Sequence, residues 1–365
     1  MTILGIDHNA GDTTGRAFWA ALARGLGVSV SVLIPGAGAT SIPARPRKGS
    51  VAFGTIRALR ASRVHQLVCP GLAGAVRHTG ASVLHLNAEP ENFLAWQGTR
   101  LKALVPGLRL SLVSWRNIRY PGRRLPYRFG RVYTAIERRT LKSADRIFCF
   151  NDDAMRILKS YGARRLSRVC AGVDTAIFRP GNKRTGKGFD AGYAGRLVPE
   201  KGVDLLVRAM AGGGNARLNI LGSGPERGKL WKLAREVGIA GRTRFIPARP
   251  QSALPAFYRS VDALVLPSVS TPGWKEQFGR VLIEAMACGT PVIGSDSGEI
   301  PRVIGRAGMI FREGDVAGIR RAIVRLRDDP GLRHRLARAG RRRVLANFTV
   351  AHMVHSFAAG FRSLI

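Results

Sequence analysis

Short apolar, β-branched runs alternate with longer amphipathic stretches along the whole chain. The runs "TILGID" (2–7), "VSVSVLI" (28–34), "SVLHLN" (82–87), "LRLSLVS" (108–114) and "DRIFCF" (145–150) read as buried parallel strands. Between them, "TGRAFWAALARGLG" and "NFLAWQGTRLKALV" carry apolar residues at helical spacing. At Phe178 to Gly188, "FRPGNKRTGKG", periodicity gives way to proline, glycine and charge, the texture of a linker. The rhythm then restarts with "FDAGYAG" (189–195), "ARLNILG" (216–222), "RTRFIP" (242–247), "DALVLP" (262–267) and "PVIGSD" (291–296). This predicts an α/β chain of two Rossmann-like domains, residues 1–180 and 181–345, facing one another across a deep cleft. A last helical segment, 346–365, is expected to pack back on the first domain. Open α/β sheets bind ligands beyond the carboxyl ends of their strands, so informative residues are sought just after each run.

Composition fits this picture. The chain has 365 residues, 45% of them apolar, enough for two cores. No window approaches the roughly eighteen apolar residues that mark a transmembrane helix. The start, "MTILGIDHNAG", enters a strand without a basic leader, so a cytoplasmic protein is expected. Cys69, Cys149, Cys170 and Cys288 share no short spacing, which argues against a zinc ribbon or a redox pair and for buried free thiols.

Charge changes the picture more. Lys and Arg number 59 against 23 acids, a formal net charge of +36. The segment Trp115 to Lys142 holds nine bases and one acid, Glu137. Such a segment attracts polyanions, and an anionic membrane surface is the expected partner, peripheral to the inner face of the cytoplasmic membrane. Drift of base composition towards arginine is the competing explanation. Nucleic acid is not expected, because no RNA-binding aromatic motif or zinc finger accompanies the charge.

The candidate chemistry lies after strands of the second half. Gly195 and Arg196 leave "FDAGYAG", and Lys201 and Gly202 open the next helix, where free backbone N–H groups and the helix dipole suit phosphate. A solvated loop is the plain alternative for that segment taken alone. In "LNILGSGPERGKL", Gly222 and Gly224 would let a ligand approach the backbone, and Pro225 would open a helix. In "EQFGRVLIEAMACGTPVIGSDSGEIP", "EQFG" is expected to start a helix that stops at Gly289. Glu276 would then lie at the cleft mouth and Glu284 two turns further in. The amides of Phe278 and Gly279 would be offered to a diphosphate, with Arg280 and Val281 beside them. Glu284, with two acceptor oxygens, suits the vicinal diol of a ribose, and Glu276 the hydroxyls of a sugar. The plain alternative, two charges on a solvated helix, fits poorly with Glu284 inside "VLIEAMA".

"GRLVPEKG", "LGSGPE" and the Glu276-to-Glu284 segment resemble glycosyltransferase family 4, the retaining, nucleotide-sugar-dependent enzymes of the GT-B fold. The likeness covers nearly all of the second domain and is looser in the first, where it rests on "EPENFLAWQ" and "AGVDTAIFRP". It implies that Arg196 and Lys201 hold the donor diphosphate, that Glu284 binds the nucleotide ribose, and that Glu276 with the Phe278 and Gly279 amides contacts the transferred sugar and phosphate. The family often carries a histidine after a first-domain strand, where this chain reads "LVSWRNIRY". Gly11, Glu89 and Asn117 are left as acceptor-side candidates, with His8. His85 in "VLHLN" reads better as a core histidine.

The expected reaction is retaining transfer of a sugar from a nucleoside diphosphate sugar to an acceptor hydroxyl, with Glu276, Arg196 and Lys201 as the catalytic groups. No metal or other cofactor is expected, since no DxD pair follows a strand. The basic first domain points to an anionic or lipid-linked glycan acceptor. A nucleotide-sugar epimerase or hydrolase of the same fold and a non-enzymatic phospholipid- or nucleic-acid-binding protein are the alternatives.

Overall fold

The structure, a computed structural model, describes residues 1–60, 64–119, 130–181, 188–212 and 214–364. Part of the expected linker (182–187) and the middle of the basic segment (120–129) lie outside the described residues. The chain divides into two compact units. One comprises Met1–Gly172 with Val350–Ile365, the other Val173–Thr349.

The first unit is built on seven parallel strands: β1 (Thr2–Ile6), β2 (Ser29–Gly36), β3 (Val51–Arg57), β4 (Val83–Leu86), β5 (Arg109–Ser114), β6 (Arg146–Cys149) and β7 (Leu166–Arg168). Their order is β3-β2-β1-β4-β5-β6-β7, so the strand order reverses between β1 and β4. Alternation along a strand divides the core in two. Leu84 and Leu86 of β4 join Leu4, Ile6, Leu110 and Leu112 in one buried layer. On the opposite face, His85 is 2% exposed among the rings of Trp19, Phe148, Phe357 and Phe361. Phe357 and Phe361 belong to the helix Val350–Arg362, which packs on the helix Thr13–Leu26. The tail thus closes the first sheet. His85 Nδ1 is 2.9 Å from Ser111 Oγ, which makes it the core histidine anticipated above.

The second unit has six parallel strands: β8 (Asp190–Ala194), β9 (Arg217–Leu221), β10 (Thr243–Ile246), β11 (Ala263–Leu266), β12 (Val292–Ser295) and β13 (Met309–Phe311). Their order is β10-β9-β8-β11-β12-β13, and the reversal falls between β8 and β11. Phe178 and Pro180 belong to this unit. The Phe178 ring lies 6.3 Å from Tyr258, and Pro180 lies beside Gly289. All ten strands expected from the sequence form. The edge strands β3, β7 and β13 are additional; β3 and β7 are half-buried for most of their length and interrupted by Gly54 and Thr55 or by Ser167 and Arg168, and β13 is only three residues long.

Candidate active site

The second unit gathers its polar side chains at the carboxyl ends of β8 and β11, the point where the strand order reverses. After β8 the chain runs Gly195-Arg196-Leu197 alongside the loop that follows β9. Gly195 N donates to Leu221 O (3.0 Å), Leu197 N to Ser223 O (2.8 Å) and Glu226 N to Leu197 O (3.1 Å). The two loops touch so closely that a Cβ on Gly222 would stand 1.9 Å from Gly195 O, and one on Gly224 2.2 Å from Leu197 O. Both glycines have φ near +155°. They make room for neighbouring backbone, a packing reason for glycine beside the expected one of admitting a ligand. Tyr193, buried in β8, donates from its hydroxyl to Arg196 O (2.7 Å) and fixes the turn.

Arg196 itself stands out, its side chain 66% exposed and 3.8 Å from Glu200. Lys201 closes the short turn Pro199–Lys201, and Gly202, at φ +60°, precedes the helix Val203–Ala211. A Cβ at Gly202 would lie 2.1 Å from Pro267 O, so the turn is pressed against the end of β11. There the Lys201 ammonium donates to Glu276 Oε2 at 2.6 Å and sits 4.8 Å from the centre of the Trp274 ring. Ser268, just beyond β11, donates to the same oxygen at 2.7 Å.

Glu276 is 6% exposed and lies in irregular chain, not in a helix. The helix runs Arg280–Ala287, and Gly279 caps it at φ +81°. Tertiary contacts override the helical propensity of "EQF". Glu276 O accepts from Glu299 N (3.2 Å), and a Cβ on Gly298 would lie 2.0 Å from that carbonyl. Glu276 N faces Ser297 Oγ at 3.4 Å. The segment is therefore threaded between the loops after β11 and β12, which aims its carboxylate at Lys201. Phe278 is buried edge-on to Phe348. Similarly, the helix expected at Pro225 begins at Arg227, with Pro225 in the preceding turn.

Glu284, 4% exposed, belongs to a second network. Its Oε2 accepts from the Tyr258 hydroxyl at 2.7 Å, and Oε1 lies 3.6 Å from the Arg280 guanidinium. Burial and the Glu284 charge push the Tyr258 phenol well above its ordinary range, so it stays a donor. One of the two oxygens expected for a diol is thus occupied by a tyrosine twenty-six residues away. Val281 is half-buried on the same helix. Ser268, Trp274, Ser297 and Tyr258 were not anticipated. Only Trp274, an aromatic in a polar loop, carried a signal in the sequence.

In the first unit, the acceptor-side candidates separate. Gly11 ends an exposed turn after β1, with open space around it. Glu89 and Asn117 follow β4 and β5. Glu89 accepts from Ser114 Oγ and Trp115 N, both at 2.6 Å. Burial and the neighbouring Glu91 push its carboxyl up to about 7. Arg116 bridges Glu91 (2.7 Å) and Glu137 (2.6 Å), and Asn117 is buried beside it in the chain. His8 is exposed. The four cysteines are free thiols, Cys170 half-buried and the others buried. Among the described residues, no group of His, Cys, Asp or Glu is placed to hold a metal ion.

Residues 174–343 match the family model Glycosyl transferases group 1. That stretch is the second unit almost entire. D-inositol 3-phosphate glycosyltransferase of Thermomonospora curvata is 35% identical over 233 residues, 55% of this chain and 53% of that protein. Its counterpart in Catenulispora acidiphila is 36% identical over 237 residues, 56% of this chain and 52% of that protein. The matches span about half the length of these curated relatives. Among solved structures, sucrose-phosphate synthase of Thermosynechococcus elongatus superposes with a TM-score of 0.80 at 21% identity, covering 100% of this chain and 99% of that one. Anabaena HepE in complex with UDP and glucose gives 0.75 at 17% identity, with both chains covered fully. At these identities the likeness speaks for the fold, and the two parallel-sheet units are those of GT-B structures.

Proposed function

We propose that the protein is a retaining, metal-independent glycosyltransferase of family 4, moving a sugar from a nucleoside diphosphate sugar to an acceptor hydroxyl. The observation that carries this reading is the Lys201–Glu276–Ser268 cluster, set with Arg196 at the strand-order reversal of the second unit. As the anomeric C–O bond breaks, its electron pair passes to the β-phosphate oxygen. Lys201 and Arg196 stabilise that charge, with the amides around Phe278 and Gly279. The acceptor oxygen bonds to the anomeric carbon and its proton passes to the leaving phosphate. Glu276 holds sugar hydroxyls, and Glu284, oriented by Tyr258, holds the nucleotide ribose. Gly195, Gly222, Arg280 and Val281 shape the wall around them. The UDP and glucose of the HepE complex support a nucleotide-sugar donor.

The first unit takes an anionic or lipid-linked saccharide, Glu89, Asn117 and Gly11 being on its acceptor side. The enzyme works in the cytoplasm, against the inner face of the cytoplasmic membrane, and binds no nucleic acid. A panel of nucleotide sugars, scored by thermal stabilisation and then by the anomeric configuration of the product, tests the proposal. Stabilisation by one donor and a retained anomer are expected in the absence of divalent cations. Inversion, or an absolute metal requirement, refutes it.

A further inference from the structure

The first unit contains 28 of the chain's bases and only eight acids. Most of those acids are withdrawn from its surface. Asp7, Glu91, Glu137 and Asp145 are buried, and Glu89 is turned inward onto Ser114 and Trp115. Only Asp152 is exposed, and it pairs with Arg168.

The consequence is sharpest on two neighbouring helices, Phe93–Leu104 and Gly130–Ser143. They are held together by the Phe93 and Tyr133 rings, 5.4 Å apart, and by Lys102, which donates to Ser143 O at 2.6 Å. The second helix buries Tyr133, Ile136, Glu137, Thr140 and Leu141 and exposes Arg131, Val132, Ala135, Arg138, Arg139 and Lys142, one continuous stripe at helical spacing. Its single acid is on the buried side. None of those four bases makes an ion pair among the described residues. The first helix exposes Trp96, Arg100, Ala103 and Leu104, again on one face. Here Trp96 is 37% exposed beneath the Arg100 guanidinium, and Leu104 is 72% exposed. Val132 is 48% exposed.

We infer that these two exposed faces form a peripheral docking surface for an anionic lipid bilayer. It deepens the reading of a lipid-linked acceptor and rests on it for its purpose. The cations meet lipid phosphates, while Trp96, Leu104 and Val132 enter the headgroup boundary, the division of labour of an interfacial helix pair. Nucleic acid explains the bases and the tryptophan but gives Leu104 and Val132 nothing to leave water for. Among the described residues no helix is long and apolar enough to cross a membrane, so contact of this kind is superficial.

The test is sedimentation of the full chain with phosphatidylcholine vesicles, with and without phosphatidylglycerol, in the absence of donor and acceptor. Binding is expected only with phosphatidylglycerol, released by salt. The double change R138E/R139E should weaken it by roughly tenfold or more, each charge contributing on the order of a fewfold. Leu104→Asn should leave binding more salt-sensitive. Independently of charge variants, tryptophan fluorescence should shift to the blue on binding, and that shift should shrink in Trp96→Phe. Equal binding to both vesicle types, indifference to R138E/R139E, or tight retention of a short RNA with no vesicle binding overturns the inference. Sugar transfer without anionic-vesicle binding refutes this surface alone. Vesicle binding by a protein that transfers no sugar refutes the catalytic reading alone.

Discussion

Removing Lys201 should damage both stability and turnover, and the two losses can be separated. The Lys201–Glu276 contact is 2.6 Å, with the side chains 14% and 8% exposed. At an effective dielectric of about 20, that separation corresponds to roughly 6 kcal/mol of Coulomb attraction before desolvation is subtracted. Lys201→Ala removes the cation from a buried carboxylate that keeps the Ser268 hydroxyl as a donor, so a net loss of about 2–4 kcal/mol is expected. Glu276→Gln should cost less, because the amide keeps an acceptor for Ser268 and Lys201 reaches solvent more easily. The double variant should then be more stable than the sum of the singles predicts, by about 1–3 kcal/mol. Urea unfolding of the four proteins measures this. On the proposed roles, the ammonium serving the leaving phosphate and the carboxylate the sugar, turnover with the best donor should fall by about a hundredfold or more in each single variant and should not recover in the double. Additive stabilities would show that the ion pair is not formed in the native protein. Recovery of turnover in the double variant would show that the pair acts only as a structural strut.

Other consequences follow from single residues. Burial pulls the His85 pKa down from 6.5 to about 4, with Asp7 opposing it, so the native state holds the ring neutral where the unfolded chain would protonate it. Stability is therefore complete above pH 6.5 and falls by up to about 3 kcal/mol as pH drops to about 4. In His85→Leu, urea midpoints should lose that part of their acid dependence. Gly222→Ala places a methyl 1.9 Å from Gly195 O at φ +154° and should lower the melting temperature markedly, while Gly11→Ala, with open space, should not. Tyr258→Phe removes the buried hydroxyl that donates to Glu284 Oε2 at 2.7 Å. It should weaken donor binding several-fold and cost about 1–3 kcal/mol, read by calorimetry and chemical unfolding.

The fold was legible because the parallel strands are buried on both faces and so appear as unbroken apolar runs, "DALVLP" and "DRIFCF" among them. β7 and β13 are three residues each at a sheet edge, the first reading Leu-Ser-Arg and the second too short to stand out. The site was legible as residue types but not as partnerships. Lys201 and Glu276 were recognisable as a cation and an acid after strands, yet their mutual contact across seventy-five residues depends on how the loops after β8 and β11 stack. The local pattern placed Glu276 in a helix, and the carbonyl contact at Gly298 takes it out of one. Gly222 and Gly224 were read as admitting a ligand to the backbone, and the structure adds that their missing side chains admit the adjacent loop. Tyr258, an ordinary aromatic on a short helix, gave no hint that it orients Glu284.

The central claim is that Lys201 and Arg196 grip the diphosphate of the donor. Isothermal titration of UDP into the full chain and into Lys201→Ala and Arg196→Ala tests it most directly, since UDP carries the diphosphate and no sugar. Each variant should bind about tenfold or more weakly, with a shallower salt dependence than the parent. UDP affinity unchanged by both substitutions would contradict the account.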